Sequence, residues 1–182
     1  MRILYVHGFG SKFDPSLPKV KELMKLGSVD GVDVDYLDAG SVVPRNDVVR
    51  SVIEVVIAKD IDLIVGTSMG GWAAAVAGCE TGIPFVAANP VLSPSKVLPK
   101  LNVSSARAAS YEDFPLEGCR GLILLDEGDD LLDSKETFER LKPRYIVNMF
   151  AGGSHRFDHM EDSLDLIELF VNSSFGYGVE PE

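Results

Sequence analysis

The sequence predicts an α/β protein, one domain over residues 1–182, with a mostly parallel sheet of about six strands and helices on both faces. Three observations predict it. Apolar runs of strand length alternate along the chain with segments of helical period. No internal repeat or linker interrupts that alternation. Polar residues next to glycines fall just after strands, at His7, Ser68, Asp129 and His155. Open parallel sheets bind their ligands there, outside the carboxyl ends of the strands.

The elements follow in order. Arg2 to Val6 is a strand, ended by His7-Gly8-Phe9-Gly10. A short helix after Pro18 puts Val20, Leu23, Met24 and Leu26 on one side. Val32 to Leu37 alternates apolar and acidic residues, as a strand near a sheet edge does. Asn46 and Asp47 cap a helix start. Val48, Val49, Val52, Ile53, Val56 and Ile57 continue that helix, because their period outweighs their β-branching. Ile61 to Val65 is a buried strand, and Gly70 to Cys79 an Ala-rich helix with close neighbours. Pro84 to Asn89 is a strand ending in Asn89-Pro90. Residues 91–118 hold three prolines and no clear period, so they read as an irregular excursion. Gly121 to Leu125 is the next strand. Asp133 and Glu136 make a capping pair for a helix carrying Phe138 and Leu141. Tyr145 to Phe150 is the last strand. The last helix carries Met160, Leu164, Ile167 and Val171 on one face.

Composition narrows the function classes. Lys and Arg total 17 against 28 Asp and Glu, a net charge of −11. Such an acidic surface repels nucleic acid and gains nothing from an anionic membrane. A chain this long buries roughly 70% of its unfolded surface and needs no disulfide or metal to stay folded. Cys79 and Cys119 read as two isolated thiols, not a disulfide framework or a zinc site. The first apolar run is too short for a signal-peptide core, and no stretch reaches transmembrane length. The expected location is the cytoplasm.

The chemistry is carried first by Gly66-Thr67-Ser68-Met69-Gly70-Gly71, a G-x-S-x-G pattern between a strand and a helix. A sharp turn there lifts a serine out of the sheet, and only glycines two residues to either side avoid clashing. The helix beginning at the turn favours developing negative charge. A serine needs a base. Of His7, His155 and His159, the glycine-rich loop Ala151-Gly152-Gly153-Ser154-His155 suits His155. His7 reads as structural, bonded to backbone in its own turn, and His159 as a solvated helix residue. The base needs an acid. Asp129 is preferred in the loop after Leu125, with Asp133 and Asp130 behind it; Asp126 is still close to the strand, and Asp133 also looks like a cap. An oxyanion hole takes the N–H of Met69 and, from the first loop, that of Phe9. Phe13, Val91 and Leu92 are candidate pocket residues, whereas Trp72 reads as packing.

Taken together, these segments resemble α/β-hydrolases, and among them the small bacterial YqiA-like esterases. The resemblance runs through Ile3 to Gly10, Gly66 to Ala73, Asn89-Pro90, Gly128 to Asp133 and Gly152 to Phe157. It implies a compact α/β-hydrolase fold with a minimal lid and a triad in the chain order Ser, Asp, His. It further implies hydrolysis of carboxylic esters, with a small-molecule ester as partner and no metal or organic cofactor. Small or short-acyl esters fit the short excursion. Thioester or amide hydrolysis on the same triad, or a silent hydrolase fold used as a binding module, are the alternatives.

Overall fold

The computed structural model describes residues 1–37 and 44–173. Its strands are β1 (Arg2–Val6), β2 (Ser28–Val32), β3 (Leu63–Thr67), β4 (Phe85–Ala88), β5 (Gly121–Asp126) and β6 (Ile146–Phe150). All neighbours pair in parallel, in the order β2-β1-β3-β4-β5-β6. The order reverses at β1, so the loops after β1 and β3 open side by side at a topological switch point.

Side chains alternate across the strands, and each face has its own apolar cluster. Leu4, Val6, Ile64, Ala87, Ile123 and Leu125 face α2 (Pro44–Ala58), α3 (Met69–Thr81) and α6 (Ser134–Leu141). Ile3, Tyr5, Leu63, Val65, Val86, Leu122 and Leu124 face α1 (Pro18–Leu23) and α7 (Leu164–Asn172). In α3 every residue from Met69 to Gly78 is buried, and its small side chains let it lie close to the sheet. Trp72 is fully buried, with its indole N–H donating to the Glu112 carbonyl.

Four expectations are corrected. The edge strand is Ser28–Val32, not Val32 to Leu37. The alternation of 32–37 is real, with Val32, Val34 and Tyr36 buried, but pairing with β1 stops at Val32 because the Val34 N–H donates to His7 Nε2 instead. The helix read from Asn46 starts at Pro44, where a missing N–H costs nothing. The excursion 91–118 contains short helices: α4 (Pro94–Val97), a 3₁₀ turn (Leu98–Leu101) and α5 (Ser105–Ala108). It returns to β5 past the end of α3, bringing the Cα atoms of Cys79 and Cys119 to 4.8 Å, and the two thiols form a disulfide. Forty residues of separation hid that pairing from the sequence. Among the described residues no helix is long and apolar enough to cross a membrane.

Candidate active site

Ser68 occupies the turn between β3 and α3 with φ 57° and ψ −122°, a strained conformation for a residue with a side chain. The surroundings enforce it. A Cβ on Gly66 would lie 2.0 Å from the Gly70 carbonyl oxygen, and one on Gly70 2.1 Å from that of Val6. The turn is therefore pressed against the end of β1. The Ser68 N–H is tied to the Ala88 carbonyl at 3.0 Å, and its own carbonyl accepts from Gly71, Trp72 and Val91.

His155 lies in the loop after β6, with Nε2 2.9 Å from Ser68 Oγ. Its Nδ1 lies 2.9 and 3.0 Å from the two oxygens of Asp129. An Nδ1–H donated to a carboxylate leaves Nε2 as the acceptor for the serine proton. The Asp129 side chain is only 2% exposed, and that of His155 is 16% exposed. Burial acts to raise the Asp129 pKa. Hydrogen bonds from His155 and from the N–H groups of Leu131 and Leu132 outweigh it and hold the carboxyl below its ordinary range.

The rival acids do other work. Asp133 caps α6 by accepting the Glu136 N–H at 2.9 Å. Asp130 accepts the His155 backbone N–H at 3.3 Å but does not bond its ring. Asp126 is fully buried and binds His159 Nδ1 at 2.7 Å. This corrects the reading of His159 as a solvated helix residue: it precedes α7 and stacks on Phe150 at 5.1 Å. His7 is structural, bonded through Nδ1 to the Gly8 carbonyl and through Nε2 to the Val34 N–H.

The loop after β1 lies directly against the serine; a Cβ on Gly8 would sit 3.2 Å from Ser68 Cβ. Among the described residues, no backbone hydrogen bond uses the N–H of Phe9 or of Met69. Phe9 borders the cleft, whereas Met69 is fully buried and is not among its lining residues.

Ser68 and His155 open into a cleft of about 800 Å³. Tyr5, Phe157 and Met160 supply its apolar part, and Lys19, Arg156 and Glu161 are among its charged lining. Burial lowers the Lys19 ammonium to about 8, against the attraction of Asp158 and Asp126 and with the repulsion of Arg156. The expected pocket residues are elsewhere. Phe13 lies over Gly31 of β2. Val91 and Leu92 are buried in the cluster on the α3 face, because the chain leaving β4 turns that way while the cleft borders the α1 side. Phe9 does line the cleft. No group of three or more His, Cys, Asp or Glu among the described residues is placed to hold a metal ion.

The model of UPF0227, an uncharacterised protein family, matches residues 2–172. A UPF0227 protein of Yersinia enterocolitica is 29% identical over 181 residues, covering 92% of this chain and 97% of the relative. One from Vibrio parahaemolyticus is 26% identical over 187 residues, covering 94% and 99%. Among solved structures, a putative hydrolase of the alpha/beta superfamily from Xanthomonas campestris superposes with a TM-score of 0.66 at 17% identity, covering 93% of this chain and 94% of that one. Est1E from Butyrivibrio proteoclasticus gives 0.68 at 16%, covering 93% and 86%. The architecture is the α/β-hydrolase fold.

Proposed function

Because the chain belongs to the UPF0227 family and carries the α/β-hydrolase fold, we propose that it is a serine hydrolase, a carboxylesterase acting on small or short-acyl esters. The observation that carries this reading is the continuous hydrogen-bonded series Ser68 Oγ, His155 Nε2, His155 Nδ1, Asp129. A carboxylesterase structure from Nitrososphaera gargenis superposes with a TM-score of 0.69 at 13% identity, covering 93% of this chain and 90% of that one, which fits the reading.

Ser68 Oγ attacks the ester carbonyl carbon while His155 Nε2 takes its proton. Asp129 stabilises the resulting imidazolium, and the N–H groups of Phe9 and Met69 hold the oxyanion. The adduct collapses with cleavage of the C–O bond to the alcohol, which leaves with the proton from Nε2. Water then gives a proton to Nε2 and attacks the acyl carbon; the acid departs as Ser68 recovers that proton. The excursion 91–118 packs on the α3 face and not over the cleft, so among the described residues no large lid covers it, which supports small substrates. The cytoplasm is the proposed location. The Cys79–Cys119 disulfide is the feature at odds with it, since cytosolic thiols are kept reduced.

The test is covalent labelling by a fluorophosphonate probe, followed by a panel of chromogenic esters, acyl-thioesters and anilides. Labelling of the wild type and not of Ser68→Ala, with esters turned over fastest, is the expected result. An unlabelled, folded wild type favours a silent fold used for binding.

A further inference from the structure

Asp126 and His159 form a second carboxylate–imidazole pair beside the first, and neither lines the cleft. A carboxylate with no exposed surface is expensive to bury unless its partners compensate. Its partners here lie on both sides of His155. Asp126 Oδ2 accepts the Ser154 N–H at 3.2 Å and the Asp158 N–H at 2.8 Å, while Oδ1 takes His159 Nδ1. The segment carrying His155 is thus wound around one carboxyl group. Contact is so close that a Cβ on Gly153 would fall 2.1 Å from Asp126 Oδ2.

Asn89 grips the same segment from β4. Its Oδ1 accepts the Asp126 N–H at 2.8 Å, and its Nδ2 donates to the Ser154 carbonyl at 2.9 Å and the His155 carbonyl at 3.4 Å. The backbone around His155 belongs to no helix or strand, and Gly152 and Gly153 just before it both have positive φ. Such a segment has little stiffness of its own. Side chains from the ends of β4 and β5 replace the missing secondary structure.

We propose that Asp126, supported by His159 and Asn89, is the positioning residue for His155. It fixes the backbone of the base to the end of β5, the strand end from which Asp129, three residues on, fixes the ring. Base and acid then share one rigid reference, and Nε2 stays within hydrogen-bonding distance of Ser68. The assignment rests on the serine-hydrolase reading above.

Asp126→Asn is the direct test. Its amide oxygen can keep the Ser154 and Asp158 N–H groups only with the amine facing His159 Nδ1, which must then give up its proton or the bond, and the charge-assisted hold on the segment is lost in either case. Displacing the base by about 1 Å costs roughly 10²-fold in kcat. The segment held by Asp126 also supplies Arg156, Phe157 and Asp158 to the cleft, so KM rises with any displacement and the loss is read in kcat at saturation. The low-field proton resonance of the His155 Nδ1–H should weaken or shift in Asp126→Asn and persist in Ser68→Ala. His159→Asn against His159→Phe gives a second arm if Asp126→Asn does not fold. Asn returns a donor to the Asp126 carboxyl, Phe keeps only the ring stack on Phe150, and Asn should retain clearly more kcat at equal thermal stability. Wild-type kcat and an unchanged resonance in a folded Asp126→Asn protein would overturn the proposal, as would equal activity of the two His159 variants. If the wild type turns over no ester and takes no probe, the hydrolase reading fails. The resonance still decides whether Asp126 positions the ring.

Discussion

The two carboxylate–imidazole pairs at the end of β5 differ in what lies beyond the imidazole. In Asp129–His155 the far nitrogen meets a serine hydroxyl at 2.9 Å. In Asp126–His159 the ring stacks face to face on Phe150. Burial does not separate them: the acid side chains are 2% and 0% exposed. Nor does the bond to the imidazole, at 2.9 and 2.7 Å. What separates them is the third atom. A buried Asp–His pair is not by itself evidence of a base; it becomes one when the second ring nitrogen faces a group whose proton it can take. The other pair spends its acceptors on backbone N–H groups and so acts on geometry.

Substitutions in and around the two pairs test the difference. Ser68→Ala removes the third atom and should lower kcat on any accepted ester by about 10⁶-fold with the fold intact. Steady-state turnover beside circular dichroism reads both; activity near wild type in that variant would end the assignment. Asp129→Asn should cost on the order of 10⁴ in kcat, because an amide can stabilise the wrong imidazole tautomer. The hundredfold loss expected for Asp126→Asn sets the two acids apart, and a reversed order would exchange their roles.

The next effect is in pH. His155 must be neutral to act as base, so kcat/KM should fall about tenfold per unit on the acidic limb, with the slope of a single proton. Asp129 does not add a second proton to that slope, because its pKa is held below the ordinary carboxyl range. The sign for stability follows. The Asp129 contribution is fully present above its unfolded pKa of about 3.9 and is lost only as pH falls through the lower folded value. A two-proton limb between neutral and mildly acidic pH would contradict this ordering.

The smallest effects belong to the remaining acids. Asp133→Asn should change stability by less than about 0.5 kcal/mol and leave kcat unchanged, since Asn caps a helix about as well as Asp. Asp130→Asn should be close to silent in thermal melts: its side chain is exposed, and its amide oxygen can still accept the His155 N–H. A large loss of kcat in Asp133→Asn would mean that its carboxylate does more than cap α6.

How much of this was legible beforehand depended on how local each feature is. The elbow at Ser68 needs its glycines within two residues of the serine, so a short pattern between a strand and a helix sufficed to find it. Five of the six strands are legible because apolar runs of that length recur between helical periods, whereas the edge strand, expected at 32–37, forms at Ser28–Val32. Asp129 stands apart from Asp130 and Asp133 by its place after Gly128, and its carboxylate meets His155 Nδ1. His159 is hidden from the sequence for the opposite reason. Its partner lies 33 residues away on β5, and nothing next to it in the chain marks that contact. Asn89 carried one signal, the Asn-Pro pair at a strand end, which marked a turn without showing what the amide would hold.

Local rules in the sequence set the alternation of strands and helices, the loops that end at one edge of the sheet, and the elbow that carries Ser68. These follow from periodicity and from short-range steric rules, which act within a few residues. Only the tertiary structure decided where the cleft lies, why Phe13, Val91 and Leu92 are not part of it, that Cys79 and Cys119 meet, and that Asp126 and Asn89 hold the His155 loop. Each depends on how strands distant in the chain are ordered side by side. That order is set by which apolar faces are buried together over the whole sheet, a balance no single segment of the sequence contains.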